Sequence, residues 1–462
     1  MTEYRGVVGA IMARGVEWQF DPSLERIRDL LDLLGSPQNA YPVILVAGTN
    51  GKSSVTRMID SLLTERGLRV GRFTSPHLSE MRERISIDGE PLGEERFAEV
   101  YDDVAPYLEL IDSKHPVRLS FFETLTAMAY SAFADAPVDV AVVEIGMGGT
   151  WDATNVVEPV VAVVTPIGLD HTDYLGDTLQ DIALEKAGVI KAGSVVVMAQ
   201  QQLEAAEVLL RQASEVGAQI VREGLEFGVV RRELAFGGQV LDLRGIHGEY
   251  DEVFLPMFGE HQAANAVVAL AAVEAFASGA PTGGALDPDE VTRGVTVSAF
   301  EGDGRLDPLL VREGFAKATS PGRLEVVRTG PTVILDAAHN PAGMAATAQA
   351  VTDSFGFERL VGVVAVAADK DVAGMLAELE PLLAELVVTR NSSPRSMPVE
   401  ELSEVAEGIF GAERVHRAER LDEAIDRGVG LADEGGEYGG SGVLITGSVV
   451  TAGDARVLLK VR

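Results

Sequence analysis

Gly48-Thr49-Asn50-Gly51-Lys52-Ser53-Ser54 sets a lysine and two hydroxyls directly behind a pair of glycines. That arrangement cradles phosphate. Glycines let the backbone approach an anion, its N–H groups converge there, and the N-terminus of a following helix adds partial positive charge. Lys52 would meet the β/γ-phosphates of a nucleotide, and the Ser53 hydroxyl would ligate Mg²⁺. The usual Gly-x4-Gly-Lys-Ser/Thr spacing asks for glycine at position 46, where the chain has Val46. The loop is therefore a variant. Glycines that serve only a turn would leave Gly-Lys-Ser at a strand–helix junction unexplained.

Other residues could complete the chemistry. Glu144, which opens Glu144-Ile-Gly-Met-Gly-Gly149 behind an apolar run, suits Mg²⁺ as a hard oxygen ligand. His171, in Thr165-Pro-Ile-Gly-Leu-Asp-His171, is a candidate ligand of a second metal, with Asp170 as its partner. Lys186 lies in a helix-like stretch, where a lone lysine is ordinarily a solvated cation. Asp336-Ala-Ala-His339-Asn340-Pro341 stands at a second strand–helix junction, with Pro341 suited to the first helical turn. Asp336 and His339 could contact nucleotide or the reacting phosphate. Arg323, in Pro321-Gly-Arg323, offers a guanidinium suited to phosphate oxygens.

These residues need strands to hold them. Val43–Ala47 reads as a buried parallel strand, and further strands are expected near Arg69–Phe73, Val138–Ile145, Val160–Ile167 and Val195–Ala199. Helices are expected near 22–35 behind an Asp21 cap, and near 121–135, 202–216 and 261–277. Strands alternating with helices predict a doubly wound parallel sheet, whose ligands collect at the carboxyl ends of its strands. Residues 218–257 suggest a β-rich excursion. From about 318 a second alternation begins, with strands at Val333–Asp336, Leu360–Val366, Leu386–Thr389 and Val443–Thr446 and a flexible turn at Gly435–Gly442. The expected division is an ATP-binding domain over 1–297, an acidic linker or insertion over 298–317, and a smaller α/β domain over 318–462.

Composition narrows the partners. The formal net charge is −33, from 71 acidic against 38 basic side chains, and the acids are spread along the whole chain. Such a surface repels itself unless salt screens it, which predicts a protein of a salt-rich cytoplasm, as in a halophile. No basic stripe exists for nucleic acid or an anionic membrane. The absence of cysteine excludes disulfides and thiolate chemistry. The N-terminus lacks an apolar signal core and no run is long enough to span a bilayer, so cytoplasmic residence is expected.

In order along nearly the whole chain, these motifs resemble the folylpolyglutamate synthase/dihydrofolate synthase group of the Mur ligase superfamily. The matching segments are Val46-Ala-Gly-Thr-Asn-Gly-Lys-Ser-Ser54, Phe73-Thr-Ser-Pro-His-Leu78, Glu83-Arg-Ile85, Phe121-Phe-Glu123, Glu144-Ile-Gly-Met-Gly-Gly149 and Asp152-Ala-Thr-Asn155. They continue with Gly168-Leu-Asp-His171, Glu185-Lys-Ala-Gly188, His261-Gln-x-x-Asn-Ala266, Pro321-Gly-Arg-Leu-Glu325, Asp336-x-Ala-His-Asn-Pro341 and Gly447-Ser448. The short phosphate loop is the form this superfamily uses.

The resemblance implies a P-loop-type parallel-sheet ATPase domain followed by a smaller Rossmann-like α/β domain that closes over it. It implies two Mg²⁺ sites, one held by Ser53 and Glu144 with Ser75, the other by His171 and a carbamylated Lys186. A monovalent cation is compatible with it. Gly48 to Ser54, Asn265, Arg323 and Asp336 would hold ATP, and His339 would lie near the γ-phosphate or the incoming amino acid. Ser75, His77, Arg84, Phe121, Phe122, Glu123 and Asp152 would serve the pterin side. The implied reaction joins L-glutamate to dihydropteroate or to a folate through an acyl phosphate, in a monomer. Another Mur-type amino-acid ligase and a P-loop ATPase that makes no amide are the competing readings. Three features depart from the family. Gly149-Thr-Trp-Asp152 lacks the usual arginine, Ser320 stands where a tryptophan is usual, and the insertion near 300–316 has no counterpart there.

Overall fold

The apolar run ahead of the phosphate loop is an inner strand of an eight-stranded sheet. The computed structural model describes residues 3–15, 22–279, 304–434 and 440–461. Strands β1 (Val43–Ala47), β2 (Val70–Phe73), β3 (Ile85–Ile87), β4 (Glu90–Pro91), β5 (Val140–Glu144), β6 (Val161–Val164), β7 (Val195–Met198) and β8 (Gln219–Arg222) pair in the order β4-β3-β2-β5-β1-β6-β7-β8. Only the β2–β3 and β3–β4 pairs are antiparallel. Every residue of β1, β5 and β6 is buried, as expected of strands covered on both faces.

Register positions the site. Val46 lies opposite Glu144, and Ala47 opposite Val164. The chain that leaves β1 at Gly48 is therefore flanked by Glu144 at the end of β5 and Thr165 just past β6. Helix Lys52–Glu65 follows the loop and packs against helix Glu260–Ala277. The latter is apolar all round, and nearly all of it is buried, which fits a helix in the middle of a core.

A three-stranded antiparallel sheet of β9 (Gly228–Ala235), β10 (Gly238–Arg244) and β11 (Glu249–Leu255) accounts for most of the β-rich excursion. Its first piece, β8, joins the large sheet as a parallel edge strand instead. The second body is a six-stranded sheet of β12 (Glu325–Thr329), β13 (Thr332–Leu335), β14 (Arg359–Val364), β15 (Glu385–Val388), β16 (Val415–Arg417) and β17 (Ser441–Thr446), in the order β12-β13-β17-β14-β15-β16. All its pairs are parallel except the β12–β13 hairpin. Each large sheet carries an apolar core on both faces.

Several expectations are corrected. The first expected helix runs Glu25–Leu33, and its proposed cap, Asp21, lies outside the described residues. Helices Tyr4–Met12 and Glu94–Lys114 and the β3–β4 hairpin were not foreseen. Of the 298–317 segment read as an acidic linker, 298–303 lie outside the described residues. Most of the rest is a packed helix, Pro308–Lys317. Asp307 caps it through the Leu309 N–H, and Pro308 opens it. Val311 and Phe315 enter the first body's core, and the Ser61 hydroxyl donates to the Gly314 carbonyl at 2.7 Å. That helix belongs to the first body because it covers the phosphate-loop helix. The turn proposed at 435–442 falls largely outside the described residues. Among the described residues, no helix is long and apolar enough to cross a membrane.

Candidate active site

Gly48 and Gly51 take φ of +139° and +90°, where L side chains are strained. Space forbids a side chain too. A Cβ on Gly48 would stand 1.9 Å from Thr165 Oγ1, and one on Gly51 would stand 2.5 Å from Asn265 Oδ1. Gly48→Ala should cost about 2 kcal/mol or more of stability. Denaturant unfolding would check this, and an unchanged midpoint would contradict it. The loop is clipped to the segment after β6. The Thr49 hydroxyl donates to the Gly168 carbonyl and accepts from the Gly168 N–H, both at 3.1 Å, while the Thr49 and Asn50 N–H groups donate to the Pro166 carbonyl. Asn265 also donates to Gln262 Oε1 at 3.1 Å, and Gln262 reaches the Ser54 hydroxyl. The Lys52 ammonium donates to the carbonyls of Gly48 and Thr49 at 3.2 and 3.1 Å. Burial pushes its pKa down, and the nearby Glu144 and Asp170 carboxylates oppose that shift.

Glu144 is the buried acid of the site, 1% exposed. The Ser53 hydroxyl donates to one carboxylate oxygen at 2.8 Å, and the Ser75 N–H donates to the other at 3.2 Å. Burial raises the Glu144 pKa, against the pull of Lys52 and these two donors. Among the described residues, no cluster of three or more His, Asp or Glu side chains forms a ready-made metal cage. The donors present are one carboxylate and adjacent hydroxyls. These are hard oxygens beside the phosphate lysine, and they fit Mg²⁺ held jointly with nucleotide phosphates.

Lys186 is 4% exposed on helix Leu179–Ala187. Burial, aided by Lys52, brings its pKa down to about 7. Such an amine is neutral in about half the molecules at pH 7, and the neutral form can react with CO₂. His171 follows Asp170 with a left-handed backbone (φ +53°), and desolvation brings its imidazole down to about 4 against the pull of Asp170. A neutral imidazole is the metal-binding form.

Asp170 ties the two bodies together. It receives Lys370 Nζ at 2.5 Å and Asn340 Nδ2 at 3.2 Å, with His339 Nε2 at 3.5 Å. Desolvation would raise the Asp170 carboxyl, but the His339 contact and the Lys370 ammonium help hold it well below the usual range. Asn340 Nδ2 also reaches Asn50 Oδ1 at 3.1 Å, and the Ser54 and Ser320 hydroxyls meet at 3.0 Å. Lys370 and the Asn50–Asn340 pair escaped the sequence reading. Asp336 is buried and accepts from the N–H groups of Leu324 and Ala338 and from the Thr347 hydroxyl at 2.8–3.1 Å. Its visible work is to hold the chain beside Arg323.

A second wall gathers most of the residues assigned to the pterin side. Arg84 Nε donates to His77 Nδ1 at 2.9 Å, and the Arg84 guanidinium sits 5.1 Å from the Phe121 ring centroid. Phe122 packs against Phe73 with ring centroids 5.8 Å apart, and Ser75 adjoins this wall. Glu123 and Asp152 are turned inward. Glu123 pairs with buried Arg26 at 3.1 Å and takes the Ser120 N–H at 2.8 Å. Asp152 takes the N–H groups of Met147 and Thr154, both at 2.9 Å.

Comparisons with known proteins show the chain's kinship. The Mur ligase middle domain matches residues 46–273, and the Mur ligase, glutamate ligase domain matches 322–449. A dihydrofolate synthase/folylpolyglutamate synthase of Mycobacterium tuberculosis is 50% identical, over 96% of this chain and 91% of its own length. Its counterpart in Bacillus subtilis is 32% identical, over 84% of this chain and 85% of its own length. The solved Mycobacterium tuberculosis folylpolyglutamate synthase complexed with ADP superposes with a TM-score of 0.90 at 49% identity, covering 99% of this chain and 98% of that one. Phosphate loop, buried carboxylate, two-body crevice and kinship converge, and the chain belongs to the folylpolyglutamate synthase/dihydrofolate synthase family of Mur ligases, which are ATP-dependent ligases.

Proposed function

We propose that this protein joins L-glutamate to dihydropteroate and extends folates with further glutamates. One observation carries this reading. Ser53, next to Lys52 and bonded to Glu144, lines a crevice that has His77, held by Arg84, on one side and Arg323 of the second body on the other. Phosphate, acceptor and amine could meet there.

An oxygen of the acceptor carboxylate attacks the γ-phosphorus of ATP, and ADP leaves. The product is an acyl phosphate. Lys52 and the loop N–H groups offset charge on the transferring phosphoryl group. The glutamate amine then attacks the acyl carbon, and the tetrahedral intermediate expels inorganic phosphate and a proton to leave the amide. Ser53, Glu144 and Ser75 would hold one Mg²⁺, and His171 with carbamylated Lys186 would hold a second. Bound Mg²⁺ supplies charge neutralisation on the phosphate oxygens. The Asp170 contacts to Lys370 and Asn340 hold the second body over the crevice, which keeps water from the acyl phosphate.

Steady-state ATP turnover tests this reading. Hydrolysis should need both a pteroate or folate acceptor and L-glutamate, whereas turnover indifferent to both would favour a non-ligase ATPase. We further infer a protein of a salt-rich cytoplasm with no nucleic-acid or membrane partner, because of the net charge of −33. Activity should then fall severalfold on dilution to low ionic strength, as screening of that charge is lost. Full activity there would count against the salt reading.

A further inference from the structure

Arg57 lies on helix Lys52–Glu65, one turn beyond Ser53, and lines the crevice with Ser53, Thr74, His77, Ser320 and Arg323. The acids around it are committed elsewhere. Asp60 pairs with Arg72, and Glu144 is held by Ser53 and Ser75. Glu83 accepts the N–H groups of Leu78, Ser79 and Glu80 at 2.9, 3.1 and 2.8 Å. Arg57 is half-buried and makes no side-chain hydrogen bond or ion pair among the described residues, and the same holds for the Arg323 guanidinium. Arginines elsewhere readily find acids, as in Arg231–Asp242 and Arg414–Glu380. In a chain with 71 acidic side chains, two guanidiniums left without a carboxylate in one crevice mark a place for an anion from outside.

The phosphoryl group is already served by Lys52 and the loop, at the start of the helix. Arg57 stands about 5–6 Å further along its axis, toward the acceptor wall and the second body. An anion here is enclosed by both bodies together, as the amino acid must be. We propose that Arg57 binds a carboxylate of the incoming L-glutamate and thereby selects an acidic amino acid. The assignment rests on the ligase reading above.

Arg57→Gln and Arg57→Lys, assayed in the full chain, test it. Each is compared with glutamate and with hydroxylamine as nucleophile. Hydroxylamine carries no carboxylate, and it converts an acyl phosphate to a hydroxamate with release of phosphate. Arg57→Gln should raise KM for glutamate at least tenfold and lower the glutamate-to-hydroxylamine rate ratio at least tenfold. KM for ATP should stay within twofold. Arg57→Lys should fall between Arg57→Gln and the unsubstituted protein, and it supplies the reading if Arg57→Gln does not fold, which circular dichroism would report. An equal loss with both nucleophiles, or an unchanged KM for glutamate, would overturn the assignment. If the unsubstituted protein forms neither amide nor hydroxamate, the ligase reading fails first and this assignment with it.

Discussion

Lys52→Ala is expected to lower the rate of ATP-dependent amide formation by at least about 10³-fold, roughly 4 kcal/mol of transition-state stabilisation. Lys52 is the cation built into the phosphate loop, and in the protein alone its ammonium is held by the loop's own Gly48 and Thr49 carbonyls. It is thus already positioned where charge moves. Lys52→Arg should not rescue, because a planar guanidinium does not fit a point-charge site bounded by these carbonyls. Coupled measurement of ADP release, with acceptor and glutamate saturating, would check both variants. A loss below tenfold would mean that Lys52 does not act on the phosphoryl group.

Lys186→Ala is expected to cost about 10²-fold in the same assay, the scale seen when a metal site loses a supporting group. At pH 7.5 an ordinary lysine is neutral in roughly one molecule per thousand. Lys186, brought down to about 7, is mostly neutral there. Only the neutral amine attacks CO₂, forming an N–C bond and releasing one proton to leave a carbamate. Protonation removes the nucleophile, so activity should fall as pH drops from 8 through 7 toward 6, and added bicarbonate should raise it. Lys186→Arg should be as impaired as Lys186→Ala, since a guanidinium cannot form the carbamate. A flat profile from pH 6 to 8, or near-normal activity in Lys186→Ala, would contradict the role.

The phosphate loop, the buried strands and helix Phe121–Asp135 were legible in the sequence because their signals are local. An unbroken apolar run, a Gly-Lys-Ser junction and the helical spacing of Phe121, Leu125, Met128 and Ala132 are each signals of a short stretch of chain. Helix Glu94–Lys114 was missed although Glu94 and Glu95 mark its first turn. Pro106 inside it reads as a breaker, and only packing shows that it is tolerated. Helix Pro308–Lys317 carries a legible Asp-Pro start, yet the surrounding glycines and acids favoured a linker. Within the site, Glu144 was singled out by its place at a strand end, and Lys186 only through the family resemblance. Their burial, which shifts their chemistry, depends on strands and helices far along the chain. Lys370 and Asp170 are 200 residues apart, and no spacing rule connects them. Asp152 and Glu123 show the reverse error. The family resemblance implied ligand contact for both, whereas in the structure neighbouring N–H groups and Arg26 engage their carboxylates.

The central claim is that ATP activates a carboxylate which glutamate then captures. It is tested most directly by supplying dihydropteroate with ¹⁸O at both oxygens of its carboxylate, together with ATP, Mg²⁺ and L-glutamate. Mass spectrometry then follows both products. The account predicts a pteroate product heavier by one glutamyl residue and one ¹⁸O atom in each inorganic phosphate released. Phosphate free of ¹⁸O, or ATP consumed without a glutamylated product, would contradict it.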